Sequence, residues 1–98
     1  RLHDALAAAA SLAAQGVSAE VVDLRTLLPL DVETIVESAR RTRRVVIVHD
    51  AVQFAGPGAE IAAILSAELF GELAAPVQRL GARFVPNPAA AGLEAQVY

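Results

Sequence analysis

RRVVIVHDAVQFAGPGA, residues 43–59, decides the fold. Two cations, Arg43 and Arg44, lead into the apolar run Val45, Val46, Ile47 and Val48, β-branched at every position. A short apolar run without alternation predicts a strand buried on both faces. The run ends on the polar pair His49–Asp50, and the loop that follows holds Gly56, Pro57 and Gly58. An amphipathic helical pattern begins at Glu60. Strand, loop and glycine-marked helix start together make half of a βαβ unit. In open α/β sheets, ligands and partners gather beyond the carboxyl ends of the strands. His49 and Asp50 are expected at such an end, so chemistry on this chain is expected there.

Downstream, Gly56 suits an N-cap and Pro57 the first helical position, where its missing N–H costs nothing. Ile61, Ile64, Leu65, Leu69, Phe70 and Leu73 predict the apolar face of the helix, with Glu60 favourably placed in its first turn. Pro76, Val77 and Leu80 predict a last short strand that starts at a proline. From Gly81 to Tyr98 the composition predicts an irregular tail.

Upstream, Asp31 is a good N-cap, and Val32, Ile35, Val36 and Ala39 mark one buried stripe. Glu33 and Glu37 near the start of that helix, and Arg40, Arg41, Arg43 and Arg44 near its end, complement the macrodipole. The arginine cluster reads as a solvated helix end or, alternatively, as a patch for an acidic partner. Ala19 to Leu24 predicts a strand, with Asp23 and Arg25 at its carboxyl end. Leu2 to Gln15 predicts an alanine-rich helix with Gly16 as its left-handed C′ residue. No cap precedes Leu2, so the expectation is a domain whose upstream part is absent.

The chain has 98 residues, 55% of them hydrophobic, and a formal net charge of −3. That suits one domain, or part of one, and argues against nucleic acid as a partner. Without cysteine there is neither a disulfide framework nor a thiolate metal site, which fits a reducing compartment. The apolar runs fall far short of the ~20 residues of a membrane span. Leu2 to Ala14 carries Asp4 inside the run and lacks the cationic cluster of a signal peptide.

The turn at Gly56-Pro57-Gly58 precedes a helix, but it lacks both common phosphate-loop spacings, and Pro57 removes a donor. Helix start and close backbone packing explain it better than a phosphate cradle. His49 and Asp50 are candidates for an acid–base pair, yet neighbours on a strand face opposite ways. A couple of His49 with Asp23 or Arg25 is more plausible, and structural hydrogen bonding at the sheet end is the plainer alternative. His3 has no assigned role, and two distant histidines make no metal site. There is no G-x-S-x-G elbow.

The stretch Glu20 to Asp50 resembles the carboxyl-terminal domain of the β subunit of thiamine-diphosphate-dependent 2-oxoacid dehydrogenases. The residues that carry the resemblance are Asp23-Leu24-Arg25-Thr26-Leu27, Pro29-Leu30-Asp31, Val46-Ile47-Val48-His49-Asp50, and Gly56, Gly58, Ala59, Glu60 and Ile61. The end, with Pro86, Pro88, Leu93 and Glu94, resembles the family's closing segment. Asp50 stands where the family usually has Glu. Phe54 and Pro57 stand where it favours Thr and Phe, and Phe84 replaces an acid.

The resemblance implies a three-layer α/β/α fold with a mostly parallel sheet, like the transketolase C-terminal domain and incomplete at the N-terminus. Residues 1–98 would be a single such domain, with the pyrimidine-binding domain upstream. It implies a central strand between Glu20–Leu24 and Arg44–His49, contributed by residues before Arg1. It implies oxidative decarboxylation of a 2-oxoacid and acyl transfer to a lipoyl group. Thiamine diphosphate and Mg would be held by other domains, with no cofactor, metal or catalytic residue here. The implied partners are an α subunit and a second β subunit in an α2β2 assembly, and a lipoyl acyltransferase core. The implied compartment is the bacterial cytoplasm or the mitochondrial matrix. Asp23, Arg25, His49, Asp50, Phe54, Gly56, Gly58 and Glu60 are then the candidate sheet-end or interface residues. The alternatives are a non-catalytic interaction module of the same fold, or the equivalent domain of transketolase or deoxyxylulose-phosphate synthase.

Overall fold

A computed structural model describes residues 1–83. Its elements, in order, are helix α1 (Leu2–Ala14), helix α2 (Val32–Thr42), strand β1 (Val46–Val52), helix α3 (Pro57–Glu68) and strand β2 (Gln78–Ala82). β1 and β2 pair in parallel, with α3 as the connection. The α/β class expected from the sequence is the class observed.

The ends of the helices follow from their residues. At the end of α1, Gly16 takes φ +84°. Its N–H donates to the Ala13 carbonyl at 3.0 Å, and the Val17 N–H to the Leu12 carbonyl at 2.9 Å. This pair of bonds is a Schellman cap. At the start of α2, the Asp31 carboxylate accepts the Thr34 N–H at 3.1 Å and the Thr34 hydroxyl at 2.6 Å. The hydroxyl first, and then the N–H, hold the Asp31 carboxyl below its usual range. Arg43 closes α2 in the left-handed region at φ +63°, and its Nε donates to the Glu72 carbonyl at 2.8 Å. Gly56 and Pro57 start α3 as expected.

The core lies between α2, α3 and one face of β1. Ile35 and Ala39 of α2 meet Ile61, Leu65 and Leu69, and Leu24, Leu30, Val45, Ile47 and Val77 pack around them. Leu65 and Leu69 are fully buried.

The structure corrects several expectations. β1 does not end at His49–Asp50; it continues to Val52, because the ladder to β2 resumes at the Val52–Ala82 pair. Nor is the apolar run buried on both faces. Val46 is 60% and Val48 45% exposed, while Ile47 is half-buried, because the described helices that pack on β1 cover one face. Ala19–Leu24 forms no strand: no described strand lies alongside to complete a ladder. The segment is held instead by Leu24 in the core and by the Glu20 carboxylate, whose oxygens accept from Arg41 Nη2 at 2.6 and 2.7 Å. Phe70 is 90% exposed, because α3 stops at Glu68 and the helical period no longer turns it inward. β2 starts at Gln78, not at Pro76, and Gly81 lies within it, not in a tail. The tail readings at Phe84, Pro86, Pro88, Leu93 and Glu94 lie outside the described residues.

Candidate functional site

The site is built where β1, β2 and the start of α3 converge. Between the Val48–Leu80 and Val52–Ala82 pairs, four steps along β1 face two along β2. Such an irregularity re-aims side chains. Here it turns the His49 ring so that Nδ1 lies 2.9 Å from the carbonyl oxygen of Ala51, two residues on. A carbonyl can only accept, so in this bond Nδ1 is the donor. Nε2 is sealed from solvent and has no hydrogen-bond partner.

Three glycines press on this ring. A Cβ on Gly58 would stand 2.8 Å from Nε2 and 3.1 Å from Cδ2. One on Gly81 would stand 2.8 Å from Cε1 and 2.9 Å from the Ala51 carbonyl. One on Gly56 would stand 3.0 Å from Cε1 and run into the Val52 carbonyl. Only glycine permits so close an approach of backbone to ring. The His49 imidazole therefore lies against the Cβ side of Gly56 and Gly58, so the turn packs closely on this ring.

The turn beyond is tied on several sides. The Gln53 N–H donates to the Ala82 carbonyl at 2.9 Å, Arg79 Nη1 donates to the Gln53 carbonyl at 2.9 Å, and Gly56 N–H to the same carbonyl at 3.3 Å. Ala55 takes φ +55°. Phe54, between them, is 69% exposed.

The remaining candidate residues lie apart from the ring. Asp50 is exposed, and its carboxylate accepts from Arg1 Nε at 2.6 Å. That hydrogen bond is the largest reason that the Arg1 guanidinium holds its proton more tightly than usual. Asp23 and Arg25 pair with each other at 3.7 Å at the surface, with Arg25 at φ +63°. His49 thus bonds Ala51 rather than Asp23, Arg25 or Asp50. Glu60 is exposed in the first turn of α3. Of the arginine cluster, Arg40 reaches Glu72 at 3.4 Å and Arg41 reaches Glu20 and Glu37, so these two cations are bound to the body of the domain. Among the described residues no cluster of three or more His, Cys, Asp or Glu could hold a metal ion. None of the described helices is long and apolar enough to cross a membrane.

Sequence reasoning missed Gly81, Ala51 and Arg79 as parts of this site. A glycine inside a strand marks close approach of another group. That signal was present at Gly81.

A parallel βαβ unit with its glycine turn folded onto a strand histidine is how the transketolase C-terminal class appears in this chain. The chain belongs to that class: the family model "Transketolase, C-terminal domain" matches residues 1–98. Its relatives are β subunits of 2-oxoacid dehydrogenases and a related oxidoreductase. It is 47% identical over 90 residues to the pyruvate dehydrogenase E1 component subunit beta of Rickettsia bellii, covering 92% of this chain and 28% of that protein. It is 41% identical over 93 residues to the acetoin:2,6-dichlorophenolindophenol oxidoreductase subunit beta of Cupriavidus necator, covering 95% of this chain and 28% of that protein. It is 48% identical over 73 residues to the mitochondrial 2-oxoisovalerate dehydrogenase subunit beta of Dictyostelium discoideum, covering 74% of this chain and 20% of that one. The chain therefore spans about a quarter of the length of such relatives.

Proposed function

We propose that this domain is the assembly and partner-docking portion of the β subunit of a decarboxylating 2-oxoacid dehydrogenase. The observation that carries this is the 41–48% identity to β subunits whose names give three different substrates, pyruvate, acetoin and 2-oxoisovalerate. A region that stays this similar while the substrate changes serves what the subunits have in common. The complete enzyme would decarboxylate a 2-oxoacid on thiamine diphosphate with Mg and pass the acyl group to a lipoyl arm. The cofactor would be held by other domains, since the Gly56–Gly58 turn lacks both common phosphate-loop spacings and Pro57 removes a donor. The partners would be an α subunit, a second β subunit in an α2β2 assembly, and a lipoyl acyltransferase core. The compartment would be the bacterial cytoplasm or the mitochondrial matrix. Asp23, Arg25, His49, Asp50, Phe54, Gly56, Gly58 and Glu60 would face or support the interface.

We further propose that residues 1–98 are one domain whose sheet is completed by another strand of the longer subunit. In support, β1 has an unpaired edge among the described residues, Val46 and Val48 are exposed, and Glu20–Leu24 lacks a ladder. An exposed strand edge presents a row of unpaired N–H and C=O groups, which is a template for another strand laid against it.

The test is to express the β subunit carrying this domain with its α subunit, and to measure both assembly and 2-oxoacid-dependent reduction of an artificial acceptor. His49→Ala is expected to weaken assembly more than it slows turnover of the assembled fraction. A large loss of turnover with assembly intact would overturn the docking role.

A further inference from the structure

We draw no further inference here: the strongest candidate, the apolar groove between α3 and its connection to β2, lined by Leu69, Phe70, Leu73, Pro76 and Val77, carries nothing because nothing in the structure shows what covers it.

Discussion

Residues 1–30 and residues 31–83 differ in what their apolar residues meet. The second region contains Ile35, Ser38, Ala39, Gly58, Ile61, Leu65, Leu69 and Ala82, all buried, while no residue of the first is buried. Yet α1 carries a regular stripe, with Leu2, Leu6 and Leu12 all 38–48% exposed and Ala5 and Ala9 half-buried. Both regions have well-made local structure: a Schellman cap on α1, an aspartate cap on α2. Periodicity and caps therefore settle which residues form helix. Burial depends on whether another apolar surface stands opposite, as α3 and β1 do for α2.

That contrast breaks first at the core. Leu65→Ala is expected to cost about 2–5 kcal/mol, and Leu6→Ala about 0.5 kcal/mol or less, in urea unfolding of the chain. Equal costs would mean that α1 contributes to the core as much as α3 does.

The comparison also separates what the sequence made legible from what it did not. Gly16, Asp31 and the Gly56–Pro57 pair are local signals, because a cap is decided within four or five residues, and each stands where it was expected. The βαβ unit was legible from its run, turn and helix. The reach of β1 past His49 was not, because it depends on pairing with Ala82, thirty positions away from Val52. The exposure of Val46 and Val48 was hidden for the same reason: four β-branched residues look alike until the surface facing them is known. Ala19–Leu24 has strand composition, but a strand exists only with a neighbour. At the site, the glycines at 56 and 58 were legible as close packing. Their object, the His49 ring, was not, since the irregularity in β1 that turns the ring is a property of two strands together.

A smaller effect sharpens the second region. The Asp31 carboxyl is held below its usual range by Thr34, so its cap is fully present above the unfolded-state range and is lost as pH falls through the lower folded value. The stability difference between wild type and Asp31→Asn, followed by urea midpoints, should be constant near neutrality and shrink below about pH 4. A difference that grows on acidification would contradict the cap's sign.

The smallest effect sharpens the first region. Glu20 and Arg41 join the extended segment to α2, and the hydrogen bond from Arg41 is the largest cause that lowers the Glu20 carboxyl. Both side chains remain partly exposed. Glu20→Gln should shift the melting temperature only slightly, and less still in about 1 M salt, where charges are screened within about 3 Å. A large, salt-independent loss would show that this pair, not Leu24, anchors the segment.

The central proposal is that residues 31–83 hold a formed core while the β1 edge left unpaired among the described residues and the Glu20–Leu24 segment would take their partner from a longer β subunit. Amide hydrogen exchange, compared between the 98-residue chain and the same residues in the longer subunit, tests it most directly. In the chain alone, the amides of α2 and α3 around Ile35, Leu65 and Leu69 should be protected, and those of Val21 to Leu24 should exchange rapidly. In the longer subunit, Val21 to Leu24 and the amides along the free edge of β1 should become protected together. Unchanged, rapid exchange along both segments in the longer subunit would contradict the claim.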